Sequence, residues 1–223
     1  MEPPYSAARI LDISLRITPD MAVWPGDPRP TLEPVATLER DGVQVGRLTL
    51  STHTGTHLDA PRHFIAAGRT VDQLDLTPLL GTCHILDVTR QDDHISRADL
   101  QRFDLQPHAR VLLKTRNSRR PPSPTFTTEF TALAPSAADY LCERGLRLVG
   151  IDGPSVDAWT ATDFPCHKRL LAADILILEH LVLWHVEPGI YGLLAVPLKL
   201  AGADGCPVRA LLTRPTCLPG EPT

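Results

Sequence analysis

This 223-residue sequence carries no excess of positive charge, no long apolar run and no closely paired cysteines, and each absence closes off a class of function. A formal net charge of −4 and a pI near 6.1 supply no electrostatic reason to hold nucleic acid or anionic lipid, so neither is expected as a partner. No apolar stretch approaches the roughly 18 residues needed to cross a bilayer. The opening Met1-Glu2-Pro3-Pro4-Tyr5-Ser6 has neither the basic start nor the apolar centre of a secretory leader, so the expected location is the cytoplasm. The five cysteines, Cys83, Cys142, Cys166, Cys206 and Cys217, are odd in number and contain no C-x-x-C pair, which argues against a disulfide framework and a zinc knuckle. No internal repeat of solenoid period is present. What remains is a protein whose expected partner is a small-molecule substrate.

What the chain does have is the balance of a globular domain, 43% hydrophobic and 22% charged, over a length that suits one domain. The expectation is a single domain over residues 1–213 with a flexible tail at 214–223. The 22 prolines are spread along the chain and imply many rigid turns between short elements. Strand-like runs lie at Ile10 to Ile17, Val43 to Ser51, His84 to Val88, Val111 to Lys114, Leu146 to Ile151, Ile175 to Leu178, Ile190 to Val196 and Val208 to Leu212. Helix signals are fewer. Ser96-Arg97-Ala98-Asp99 fits a capping box, and Ser136 is placed to cap Ala137 to Arg144, which Gly145 ends. Without strict strand–helix alternation, the fold class is mixed α/β rather than a doubly wound sheet. The stretch from Lys114 to Pro124, with stacked prolines, is expected to be an irregular surface loop.

The chemistry concentrates in His53-Thr54-Gly55-Thr56-His57-Leu58-Asp59-Ala60-Pro61-Arg62-His63, four candidate ligands or bases in eleven residues. A helix would send Asp59 roughly 200° away from His57, at about 100° per residue, and Gly55 and Pro61 also argue against one. In extended chain, residues 53, 57, 59 and 63 share parity and project to one side. Straight extension would still separate His53 from His57 by roughly 13 Å, too far for one ion with ligand bonds near 2 Å. The chain must therefore curl, with Gly55 permitting the bend and Pro61 stiffening the exit that aims His63 back. Two imidazoles and a carboxylate leave an open position, the ligand count of a catalytic rather than a structural zinc site, and manganese or iron would suit the same set.

A second group lies downstream in Cys166-His167 and Ile175-Leu176-Ile177-Leu178-Glu179-His180. Ile175 to Leu178 reads as a strand buried on both faces, and an ionised Glu179 at its end would be costly unless it met an ion or a strong donor. A salt bridge to an arginine would serve as well as a metal. His180 is left outside the site, because a continuing strand would point it away from Glu179. His84, His94, His108 and His185 read as ordinary histidines, and Cys166 as an inert thiol. Trp24, in the rigid Val23-Trp24-Pro25-Gly26-Asp27-Pro28 turn, is either a core plug or a wall for an aromatic substrate. Two rival readings stand beside a metal hydrolase. One is a serine hydrolase built on Ser155 and Asp157, although Gly153-Pro154-Ser155-Val156-Asp157 lacks the last glycine of a nucleophile elbow. The other is a non-catalytic metal-binding protein, against which His63 weighs because ligation does not require it.

These residues resemble the metal-dependent cyclase family, of the bacterial kynurenine formamidase (arylformamidase) type, with isatin hydrolase as a relative. The resemblance rests on the H-x-G-T-H-x-D-x-P-x-H pattern at 53–63. It extends through Asp12-Ile13-Ser14, Val23-Trp24-Pro25-Gly26-Asp27, Leu148 to Asp152, Pro154 to Asp157, Ile177-Leu178-Glu179 and Pro197 to Gly202, nearly the whole chain. It implies a swivelling β/β/α fold assembled as a homodimer or larger. It also implies two divalent metals per chain, zinc or alternatively manganese. His53, His57 and Asp59 would hold one, Asp59, His167 and Glu179 the other, with Asp59 bridging. By the same resemblance His63 is the acid/base, Trp24 a substrate contact, and the reaction hydrolysis of N-formylkynurenine to kynurenine and formate. Cyclic amides such as isatin, or lactones, are the alternative substrates. Gly153, the stretch Trp159 to Cys166, and His180 after Glu179 depart from the formamidase wording.

Overall fold

Runs such as Val111-Leu112-Leu113 and Leu148-Val149-Gly150-Ile151 are apolar at every position, the pattern of central strands covered on both faces. A computed structural model describes residues 10–90, 93–119 and 123–213 and makes these runs the middle of a large mixed sheet. In chain order its strands are β1 (Ile10–Asp12), β2 (Thr31–Ala36), β3 (Val45–Thr49), β4 (His57–Asp59), β5 (Leu80–Asp87), β6 (His94–Ile95) and β7 (Arg110–Lys114). There follow β8 (Ala132–Leu133), β9 (Leu148–Ile151), β10 (Leu176–Glu179), β11 (Gly189–Leu194), β12 (Gly205–Pro207) and β13 (Leu211–Thr213). The helices are α1 (Leu38–Asp41), α2 (Arg97–Leu100), α3 (Pro135–Glu143) and α4 (Pro165–Ala172).

Nine strands run in the order β1-β13-β11-β5-β7-β9-β10-β4-β12. The centre, β5-β7-β9-β10, is parallel, and the flanks are antiparallel. Alternation sorts the core onto two faces. Leu112, Leu148, Leu176 and Leu178 join one apolar cluster, while Val111, Leu113, Val149, Ile151 and Ile177 join a second that contains the helix residues Leu100, Ala137, Leu141 and Leu170. Glu179 shares parity with Ile177 and so turns toward the helix side. The mixed α/β class is as the sequence implies.

Several elements differ from expectation. The strand expected over Ile10 to Ile17 stops at Asp12, and the run from Val208 yields only a bridge from Val208 to Pro197 before β13. Strands β2, β4, β6, β8 and β12 were not foreseen, because they are short, polar or proline-containing. Ser96 and Asp99 form the expected capping box of α2. Ser136 does not cap α3. Pro135 fills the first helical position, where its missing N–H is no loss, and Ala134 precedes it without a side-chain cap. Within the expected irregular loop, Arg116–Arg119 forms one 3-10 turn; residues 120–122 and the expected tail at 214–223 lie outside the described residues. Helix α4 was not anticipated, although Phe164-Pro165 followed by apolar positions 166, 170 and 171 is a start signal of the usual kind.

The β2–β3 hairpin stands apart as a two-stranded sheet and exposes Leu32 (67%), Leu48 (59%), Val35 and Val45. Among the described residues no helix is long and apolar enough to cross a membrane, and Cys83, Cys142, Cys166 and Cys206 are unpaired.

Candidate active site

The site forms where the sheet changes from parallel to antiparallel. β4 lies between β10 and β12, with His57 opposite Glu179 and Asp59 opposite Gly205. His57 and Asp59, two residues apart, therefore face the same side as Glu179, and that side is the helix face. The expected curl precedes β4: Gly55 has φ +66°, the left-handed region that glycine enters without steric cost. Gly205 is also required. A Cβ there would lie 2.4 Å from the His53 ring, so only glycine lets the imidazole sit against β12. Pro61 opens a short 3-10 turn, Pro61–His63, which returns His63 to stack on His53 with centroids 4.0 Å apart.

Helix α4 brings His167 from the helix side. Its first turn would leave backbone N–H groups unpaired, and Phe164 supplies no side-chain cap. Asp157 does this from the preceding loop. Its carboxylate accepts from Cys166 N (2.8 Å) and His167 N (3.0 Å), and the same Oδ2 lies 2.7 Å from His167 Nδ1. Burial raises the Asp157 pKa, but the hydrogen bonds from His167 and the two amides outweigh this and hold it below 3.8.

All six residues singled out in the sequence thus meet, with Trp24 on the wall. His53 Nδ1 is 2.9 Å from Asp59 Oδ1, and His57 Nε2 is 3.4 Å from the same oxygen. His167 Nε2 is 3.4 Å from Asp59 Oδ2 and 3.1 Å from Glu179 Oε1, and His57 Nε2 is 3.5 Å from Glu179 Oε2. His57, Asp59, His167 and Glu179 are all at most 4% exposed.

This donor set fits a divalent cation. His57 Nδ1 lies 2.8 Å from Gly55 O, and His167 Nδ1 faces Asp157, so each Nδ1 must donate and each neutral ring turns an Nε2 lone pair toward carboxylate oxygens. Lone pairs cannot face one another without a proton or a cation between them. Asp59 Oδ2 is moreover buried with no hydrogen-bond partner among the described residues. The electrostatics of the cluster agree. Burial opposes charge on the imidazoles, yet Asp59 and Asp204 raise His53 to about 9, and the facing carboxylates raise His57 and His167 above 6.5. Burial also works against ionised Asp59, but the three histidines hold it well below 3.8. The cluster is short of positive charge, which protons or metal would supply.

The site also holds residues outside the expected set. Asp204, half-exposed, lies 3.2 Å from His53 Nε2 and 3.5 Å from His63 Nδ1. Nothing near position 204 in the sequence marks it. Asp157 is given a role in the sequence only by the serine rival, and the structure gives it different work: its carboxylate is committed to α4 and His167, while Ser155 Oγ accepts from Asp157 N. No histidine hydrogen-bonds Ser155 among the described residues, so the triad geometry is absent there. Cys166 turns its thiol to Leu133 O in the core, as an inert thiol would. The expectation that leaves His180 outside the site assumes a strand that continues. It ends at Glu179, and His180, at φ +54°, turns back with its ring 6.2 Å from that of His57.

A cavity of about 290 Å³ opens over the cluster, lined by Trp24, His53, His57, His63, Phe64 and Phe164 among others. Trp24 is a wall rather than a core plug and packs with Phe126 and Trp159 at centroid distances of 5.3 Å each. Trp159, in the departing stretch, thus packs against that wall.

Residues 11–158 match the family described as putative cyclase. Two relatives called kynurenine formamidase are each 40% identical: that of Bacillus cytotoxicus over 92% of this chain and 98% of its own, and that of Salinibacter ruber over 91% and 96%. Among solved structures, a predicted metal-dependent hydrolase from Bacillus stearothermophilus superposes with TM-score 0.81 at 35% identity, covering 92% of this chain and 97% of its own. Isatin hydrolase A from Labrenzia aggregata shares the fold with TM-score 0.82 at 24% identity over 92% and 93%.

Proposed function

The chain belongs to the cyclase family, and from that premise we propose that it is a metal-dependent amide hydrolase that converts N-formylkynurenine to kynurenine and formate. The observation that carries this is the largely buried set of three imidazoles and two carboxylates, with an Asp59 oxygen unpartnered among the described residues, beneath an aromatic-walled cavity. His53, His57 and Asp59 would hold one divalent ion, and Asp59, His167 and Glu179 a second. In support, Asp59 turns Oδ1 toward His53 and His57, and Oδ2 toward His167. Zinc suits these ligands, and manganese is the alternative. Bound there, such ions supply Lewis acidity, which polarises a carbonyl and makes water acidic enough to ionise near neutral pH.

The chain's own residues do the rest. Trp24 and Phe64 flank the aryl ring, and the apolar wall keeps bulk water from the amide. His63 holds Nδ1 toward Asp204, which leaves Nε2 facing the cavity. Nε2 takes a proton from the water that adds to the formyl carbon, then returns it to the departing nitrogen as the C–N bond breaks. Burial lowers the pKa of His63, so the ring is neutral and ready to accept that proton at pH 7. Attack on a cyclic amide such as isatin would use the same groups. Comparing turnover of N-formylkynurenine and isatin by metal-loaded protein, with and without a chelator, tests the reading. Chelator-sensitive hydrolysis of the formamide is expected, whereas turnover that survives metal removal and yields to a serine-directed reagent would refute it.

The same reading places the protein in the cytoplasm, where its unpaired thiols are stable, and makes it a homodimer or larger. The apolar face of β2–β3 supports association, since an isolated two-stranded hairpin is marginal in water.

A further inference from the structure

His180 plays no part in the reaction as derived above, yet it occupies a singular place. It is one of three residues, with Ala22 and Pro154, that line both the 290 Å³ cavity over the metal ligands and a neighbouring chamber of about 930 Å³. The larger chamber runs past Phe126, Phe130 and Leu183 and has Arg16 and Asp20 on its rim. Trp24, on the small cavity, is also in ring contact with Phe126, on the large one. The two spaces therefore adjoin, with His180 between them.

The His180 backbone is tied at both ends of its peptide. His180 N donates to Gly153 O (2.8 Å), and His180 O accepts from Thr56 Oγ1 (2.5 Å), which itself accepts from Leu15 N (2.7 Å). These bonds hold the residue at φ +54°, a conformation that costs a histidine energy and persists where the surroundings impose it. Neither ring nitrogen has a hydrogen-bond partner among the described residues. An imidazole carried on a fixed backbone, with its N–H uncommitted and its ring 6.2 Å from that of His57, is placed to recognise a bound molecule.

We propose that His180 selects aryl amides carrying a carbonyl group ortho to the scissile nitrogen, its ring N–H donating to that oxygen while the remaining side chain passes into the larger chamber. This rests on the amide-hydrolase reading and adds to it the feature of the substrate that is recognised.

The test uses metal-loaded protein and two probes, ortho-formamidoacetophenone and its para isomer, which share the scissile bond and the electron-withdrawing group. The wild type is expected to favour the ortho isomer. In His180→Gly, which removes the donor and relaxes the backbone, the ortho-to-para ratio of kcat/KM should fall about tenfold, mainly through KM. His180→Asn, which tolerates the left-handed conformation and keeps an N–H donor, should hold the ratio within about threefold. An unchanged ratio in His180→Gly, or an equal loss in His180→Asn, overturns the proposal. Hydrolysis of neither probe by a wild type that still cleaves N-formylkynurenine would overturn the proposal alone, and cleavage of none of the three would overturn the amide-hydrolase reading beneath it.

Discussion

Asp157 offers the sharpest separation of fold from chemistry, because one carboxylate serves both. Its Oδ1 caps Cys166 N, while Oδ2 receives His167 N and the ring Nδ1. In Asp157→Ala all three bonds disappear. The uncapped helix start should lower the unfolding free energy of the metal-free protein by about 1–3 kcal/mol. The imidazole of His167 also loses the partner that keeps its proton on Nδ1, so Nε2 is no longer reserved as a lone pair. Metal affinity should drop 10- to 100-fold, the usual effect of deleting a group that orients a ligand, or about 1.4–2.8 kcal/mol. Asp157→Asn separates the two roles. With its carbonyl oxygen at the Oδ2 position it still accepts from His167 N and Nδ1, and only the bond from Cys166 N is lost. It should therefore destabilise the metal-free fold while leaving metal affinity within about threefold. Urea unfolding without metal and competition titration of zinc against a chromophoric chelator give the two numbers. Equal loss of metal affinity in the two variants would refute the tautomer argument, and no loss in Asp157→Ala would show that Asp157 serves the helix alone.

His63→Ala should reduce turnover about 10²- to 10⁴-fold with metal content unchanged; full activity in that variant would remove His63 from its role. Because burial lowers His63 below its ordinary 6.5 and bound cations would push it the same way, activity should be lost only as pH falls below 6.5; an acidic midpoint at 7 or higher in kcat/KM would contradict this. Gly205→Ala must push the His53 ring from β12, and at least tenfold weaker metal binding is expected by the same titration. Leu32→Lys with Leu48→Lys should shift the protein to monomer in light scattering if the hairpin joins copies, and an unaltered mass would exclude that face.

The central strands and the 53–63 cluster are legible because both signals are local or chemically loud, whereas His167 and Glu179 enter the site only through the family resemblance. All-apolar runs at 111–113 and 148–151 can only be buried strands or helices, and their length decides for strand. The histidines and Asp59 declare themselves by spacing within eleven residues. What could not be read was set by tertiary contacts. Asp157 caps a helix eight residues on, and no short-range pattern distinguishes it from a loop acid. Asp204 meets His53 and His63 because β12 pairs with β4, a register absent from the local sequence. His180 was misplaced for a simpler reason: parity arguments hold only while a strand lasts, and this one turns left-handed one residue early.

Strand β4 is three residues long, and between His57 and Asp59 sits Leu58, wholly buried in the opposite cluster. The backbone that aims two ligands is thus clamped from behind by oil. A hole cut there, Leu58→Ala, would cost on the order of 2–5 kcal/mol, and the neighbouring atoms would shift to fill it. Such a shift would be felt first as loosened ligation, so variation among the aliphatic residues beneath this strand can tune metal hold without touching a single polar group.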